Sequence, residues 1–259
     1  MPFRPSREPA EMPAPAELTA RMVAIGLGFA ARPAPDADIE ETLVFASIAG
    51  MVDDDLRVLS VLTTWLGVHH AHVNADRLVR RVRGQAAPRV RAYWAAIAHW
   101  QRHDRRLARL RALHRGDPVE LLSTGTAFQI SRRGEDPRFA GTPLRVPHGT
   151  LRDRAADVLA PDVLVRRHAG YRNRVLMGPT FRADVWTVLE QHPDLPVAEI
   201  ARRAACAFAT AWQVVQDFRL LRAASWRGFL AERTPPVRPD LDPSPAAVVR
   251  ADRDRSRSA

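Results

Sequence analysis

Residues 196–218 read PVAEIARRAACAFATAWQVVQDF, and how this stretch folds decides the class of the whole chain. Pro196 suits the first turn of a helix, where its missing N–H would find no partner anyway. Val197, Ile200, Ala201 and Ala204 recur at i, i+3, i+4 and i+7 and form one inward stripe. After a break near Ala205, the apolar positions Ala211, Val215 and Phe218 resume helical spacing. Upstream, Thr180 caps a helix whose Val185, Trp186, Val188 and Leu189 turn inward, and HPDLP at 192–196 ends it. Three short helices with tight connections are expected between residues 180 and 233.

This arrangement resembles the helix-turn-helix and winged-helix DNA-binding superfamily. That pattern opens on Ile-Ala, passes through a Gly turn and a Ser cap, and continues with Thr and spaced apolar residues. Ile200 and Ala201 match the opening, Cys206 takes the buried apolar place in the turn, and Thr210, Ala211, Val215 and Phe218 take the later positions. Ala205 stands where the turn usually has Gly, and Ala207 where Ser would cap the third helix. The following AASWRGFLAERTPP at 223–236 is short for a wing, with Arg227 and Gly228 as its remnant. The resemblance covers about residues 180–233 and implies a degenerate winged helix whose third helix enters a major groove. It implies Ala209, Trp212, Gln213 and Gln216 at base edges, the two Gln residues each able to make a bidentate bond to adenine. It places Thr210, Arg202, Arg203, Arg219, Arg222 and Arg227 at the phosphate backbone, while Asp217 would repel phosphate. A tri-helical packing module that reads no DNA is the plainer alternative.

Composition bears on that choice. The chain has 259 residues, 46% of them hydrophobic, enough for one large or two small cores. Its formal net charge of +10 suggests a polyanionic partner. All 39 basic residues are Arg, however, which looks like codon bias in a GC-rich genome, so position matters more than number. The densest run lies at 77–115, where twelve Arg meet one acid, Asp104, with Tyr93, Trp94 and Trp100 interleaved. Arg102, Arg105, Arg106 and Arg109 are the expected phosphate contacts there, against the alternative of a solvated helix surface.

The pattern along the chain is mainly all-α. Residues 1–16 and 234–259, rich in Pro, Ala, Arg, Asp and Ser, are expected to be disordered tails. A helical domain is expected over 17–150, a helical connector over 151–179 and the helix-turn-helix domain over 180–233. Within the first, helices are expected at Leu18–Ala31, at Ile39–Ala49 behind the capping box Asp38/Glu41 with a stop at Gly50, and at Leu56–Val68 behind Asp53, Asp54 and Asp55. Asn74 caps Ala75–Val82, and Arg89–His114 is one long pattern with a bend, so residues 53–115 could form a second tri-helical unit. Thr126–Ile130 and Pro143–Val146, either side of SRRGEDPRFAG, read as a small β-hairpin. Leu151–Leu159 and Asp162–Leu176 read as helices, the latter interrupted at Gly170.

Catalytic motifs are poorly supported. His69, His70 and His72 beside Asp76 lack an acid at helical spacing to complete a ligand set, and His103-Asp104 sits in QRHDRR rather than in the buried helix of the HD phosphohydrolases. GLGFAA at 26–31 is followed by Arg32, Pro33 and Pro35, which prevent the helix a dinucleotide would need. Cys206 is the single cysteine, the N-terminus has no continuous apolar stretch, and no run approaches a membrane span, so a cytoplasmic location is expected. The expectation is a non-enzymatic, sequence-preferring double-stranded DNA-binding protein without metal or cofactor, a transcriptional regulator or an accessory factor of a DNA-linked system, with a homodimer or protein partner left open. A non-catalytic protein-interaction scaffold is the alternative, and an α-helical metal-dependent phosphohydrolase a distant third.

Overall fold

Pro15 opens helix α1 (Pro15–Ala24) at the position where proline is tolerated, and Gly26, at φ +93°, turns the chain away from it. The helix is therefore shorter than Leu18–Ala31. Beyond it the backbone becomes extended, Leu27 pairs antiparallel with Val158, and Gly28 approaches Asp157 so closely that a Cβ would lie 2.8 Å from its carbonyl oxygen. The glycines of GLGFAA serve this backbone crossing. In this computed structural model the described residues are 11–223, apart from 36, 85 and 86.

The Asp38 Oδ1 accepts from Glu41 N at 3.0 Å and starts α2 (Ile39–Met51), and Asp55 Oδ1 accepts from Arg57 N and Val58 N to start α3 (Leu56–His69). Both helices are buried nearly all round, as befits central elements. Gly50 does not stop α2 but lies inside it. A Cβ there would sit 2.8 Å from the Leu59 side chain, so the glycine permits a close crossing of α2 and α3. Asn74 caps α4 (Ala75–Arg83), and α5 (Pro88–Trp100) buries Tyr93 and Trp94. The long pattern to His114 breaks after Trp100 into a 3₁₀ turn at Arg105–Leu107, capped by Asp104, and the short α6 (Ala108–Arg111). Each buried aromatic with a polar tip finds a partner: Trp65 Nε1 donates to Ile25 O at 2.8 Å, Trp94 Nε1 to Ser47 Oγ at 2.9 Å, and the Tyr93 hydroxyl meets Thr63 Oγ1 at 3.2 Å.

The expected hairpin is absent from the described residues. Val119–Glu120 (β1) pairs in parallel with Leu144–Arg145 (β2), and Thr126–Arg133 between them is helix α7. Thr, Phe and Ile suggested a strand, but the segment lies between Gly125 and Gly134, both at positive φ, which serve a helix start and stop as readily as a turn. Residues 151–159 are also not a helix. Their backbone is spent elsewhere: Asp157 O accepts from Gly28 N, Leu159 N donates to Gly26 O, and Arg154 N donates to Thr64 Oγ1, leaving a 3₁₀ turn at Ala155–Asp157.

Helices α8 (Pro161–Arg167) and α9 (Ala169–Met177) are separated at extended His168, not at Gly170, and the His168 Nδ1 accepts from Tyr171 N at 3.0 Å to cap α9. Gly178 at φ +80° ends it. Then follow α10 (Phe181–Gln191), α11 (Val197–Arg203) and α12 (Phe208–Ala223). A continuous apolar core runs from Leu18 to Tyr171. Compactness divides the chain after Val215, so the last half of α12 belongs to a second unit. No helix among the described residues is long and apolar enough to cross a membrane.

Candidate nucleic-acid interface

A tight turn with a left-handed alanine joins α11 to α12. Pro196 O accepts from Ile200 N, Ala205 takes up φ +51°, and Cys206 N donates back to Ala201 O at 2.9 Å. Ala205 holds a left-handed conformation that costs about 1–2 kcal/mol for a residue with a Cβ. Ile200, Ala201, Ala204, Cys206, Ala211, Val214 and Val215 are buried, whereas Phe208, Ala209, Thr210, Trp212 and Gln213 are exposed. In the second unit Gln216, Arg219 and Arg222 are exposed as well. Arg227 lies outside the described residues. Burial pushes the Cys206 thiol up to about 11, so it is a packing residue.

Arg202 and Arg203 are exposed at the end of α11 but share Glu199: Arg202 Nη2 pairs with its Oε2, and Arg203 Nε with its Oε1 at 2.8 Å. Such solvent-exposed pairs are weak and yield to a phosphate at little cost.

The basic run at 77–115 is less one-sided than its twelve-to-one count implies, because acids distant in sequence meet it. Arg77 is buried and pairs with Asp38 and Asp184, Arg81 pairs with Asp38 and Glu41, and Arg89 with Asp54. Arg106 pairs with Asp104 at 2.6 Å, and Arg109 with Asp76. Arg102 and Arg105 are exposed, as are Arg80 and Arg83. Arg80 ties this face to the three-helix segment. Its guanidinium lies 4.6 Å over the Phe181 ring at the start of α10, and its charge reaches the Cys206 thiol. Arg80 therefore packs on the start of α10, close enough for its charge to act on Cys206 in the α11–α12 turn.

Beneath that junction is a cluster the sequence reading missed. Arg174 of α9 donates from Nη1 and Nη2 to the two Glu40 oxygens at 2.7 and 2.8 Å, and from Nη2 and Nε to Asp184 Oδ1 at 2.7 and 3.0 Å. Asn74 donates from Nδ2 to Asp184 Oδ2 at 2.8 Å and from its backbone to Glu40 at 2.9 Å. Arg77 Nη1 lies 3.2 Å from Asp184. All of these side chains are buried. Burial alone would raise the Asp184 carboxyl, but Arg174 and Arg77 outweigh it and hold it below the ordinary carboxylate range. Asp38 at the edge of the cluster is likewise held down, to about 2, by Arg77 and Arg81 against the effect of burial. The cluster fastens α10 to α2, α4 and α9. A signal for it existed: Glu40 and Thr42 stand among Ile39, Leu43, Val44 and Phe45, where an acid needs a buried partner.

The histidines do not converge. His69 Nε2–H donates to Leu159 O at 2.9 Å, which leaves Nδ1 to accept from the Tyr171 hydroxyl at 2.8 Å, and burial pulls its pKa down to about 4. His70 donates to Leu66 O, His72 packs its ring against Tyr171, and His103 is exposed. Asp104 is committed to Arg106 and its cap. Among the described residues no three His, Cys, Asp or Glu side chains are grouped to hold a metal. Comparison with family models, curated proteins and solved structures finds no match to this chain.

Proposed function

We propose that the chain is a sequence-preferring double-stranded DNA-binding protein acting in the cytoplasm, as a transcriptional regulator or an accessory factor of a DNA-linked system. The observation that carries this reading is the α11–turn–α12 unit, with Thr210 and Gln213 outward over buried Ala211, Val214 and Val215, and Arg80 of the basic face beside its turn. The division of labour follows from residue type. Gln213 and Gln216 read adenine edges, Ala209 meets thymine methyl groups, and Arg102, Arg105, Arg106 and Arg109 supply sequence-independent attraction. Phe208 and Trp212, 46% and 50% exposed, favour the second reading, a protein-interaction scaffold, because large apolar side chains at a surface commonly mark a protein interface.

Fluorescence anisotropy of labelled duplex against salt tests the proposal. The parent chain should bind with a steep slope of log affinity against log salt. Replacing Arg102, Arg105, Arg106 and Arg109 together with Gln should flatten that slope by roughly 2, the contribution of the two arginines without acid partners. Binding to duplex too weak to measure at low salt would sink the DNA reading and leave the scaffold.

A further inference from the structure

A cleft of about 590 Å³ opens between α3, the end of α5 and the chain from Asp136 to Ala155, and none of its walls belongs to α10–α12. Its size is that of a small-molecule site. Apart from the two residues of β2 this run is irregular, and binding residues concentrate on such loops. It is held in shape from both sides: Asp136 N donates to Val146 O at 2.8 Å, His148 N to Gly134 O at 2.9 Å, and Arg154 N to Thr64 Oγ1 at 3.0 Å. The site is thus formed before any ligand arrives, which lowers the ordering cost of binding.

The floor is Trp100, half-buried, with Gly67 of α3 against its ring. A Cβ at Gly67 would come within 3.2 Å of the indole, so the glycine makes room for the aromatic. The polar groups come in opposed pairs. Arg138 forks onto both oxygens of buried Asp136 at 3.0 and 2.6 Å and also donates to Leu151 O, which cancels that charge. At the mouth, Arg152 and Asp153 are exposed neighbours of opposite sign, and Asp153 Oδ1 accepts from Thr64 Oγ1 at 3.4 Å. The cleft therefore offers an aromatic floor with the Arg138 guanidinium 5.9 Å over its ring, a strong donor and a strong acceptor on consecutive residues, and arginine and aspartate in equal number.

We propose that this cleft binds a flat, uncharged heteroaromatic molecule with donors and acceptors along one edge, the chemistry of a free nucleobase. Its ring lies against Trp100 and its edge meets Arg152 and Asp153. This site is independent of the DNA-binding reading. Isothermal titration of the full chain with adenine tests it, with 2-naphthoate, flat but anionic and lacking the paired edge, as the comparison. Adenine should saturate one site per chain and bind more tightly than 2-naphthoate. Arg152→Gln and Asp153→Asn should each weaken adenine roughly tenfold, the size of one lost hydrogen bond, and Val68→Trp should block the cleft, all three melting close to the parent. No saturable binding, tighter binding of 2-naphthoate, or adenine binding that all three folded variants leave unchanged would each overturn the proposal.

Discussion

Two surfaces of this molecule invert the usual placement of charge. The junction of α2, α4, α9 and α10 is buried and holds Glu40, Arg77, Arg174 and Asp184, whereas the outward face at the start of α12 presents Phe208, Ala209, Thr210, Trp212 and Gln213 with no charge. The difference teaches that an arginine enters this interior only where buried acids meet it, since Arg106 and Arg109 also have acid partners and stay outside. Arg174 meets Glu40 and Asp184 and is drawn inside, where its planar fork satisfies four acceptor contacts. Arg102 and Arg105 remain outside.

The contrast is sharpest if one partner is removed. Glu40→Ala should leave Arg174 and Arg77 to share Asp184 as their fully buried acid partner and lower stability by about 3–5 kcal/mol, read from the urea midpoint at constant slope. A loss below about 1 kcal/mol would mean that the buried cluster behaves like a surface pair, and the comparison would collapse.

The pH dependence of stability examines the same interior from a neutral group. His69 has a folded pKa near 4, below its usual value of about 6.5, so the unfolded chain binds more protons in the window between. Its contribution is complete above about pH 6.5 and is lost as pH falls toward 4, a change on the order of 3 kcal/mol. His69→Gln should flatten that part of the curve in urea titrations at stepped pH. An unaltered slope would show that the ring is not held neutral.

On the proposed DNA-binding reading, changing Gln213 and Gln216 to Ala should remove about 1–3 kcal/mol of discrimination per good bidentate contact. Binding to random duplex and thermal stability should stay nearly constant, because neither side chain is buried. If specific and random duplex weaken together, the face does not read sequence. The smallest effect belongs to Asp76→Ala, which breaks a pair with Arg109 in which the two side chains are 58% and 59% exposed. It should cost less than about 1 kcal/mol in a urea melt.

Much of the fold was legible because its signals are local. Asp38, Asp55 and Asn74 cap the helices they precede, and Pro196 introduces α11. The left-handed residue between α11 and α12 is Ala205, where the apolar spacing of the two helices breaks. The strand expected at Thr126–Ile130 failed because five residues are too few to separate a period of 2 from one of 3.6. The helix expected at 151–159 failed because its backbone partners, Gly26, Gly28 and Thr64, lie about 90 to 130 residues earlier in the chain. Separation hid the buried cluster in the same way, since Glu40 and Arg174 are 134 residues apart. His69 was readable in hindsight, for it continues the stripe of Leu62, Trp65 and Leu66 at i+7, i+4 and i+3.

The buried Cys206 has a practical consequence. Its thiol is enclosed, weakly acidic and the chain's single cysteine, so the parent protein carries almost no thiolate at neutral pH to react with alkylating dyes. A cysteine introduced at an exposed position such as Gln213 would accept one fluorophore with the native thiol left intact. The protein thus arrives ready for labelling at one chosen point, with its unmodified form as the blank.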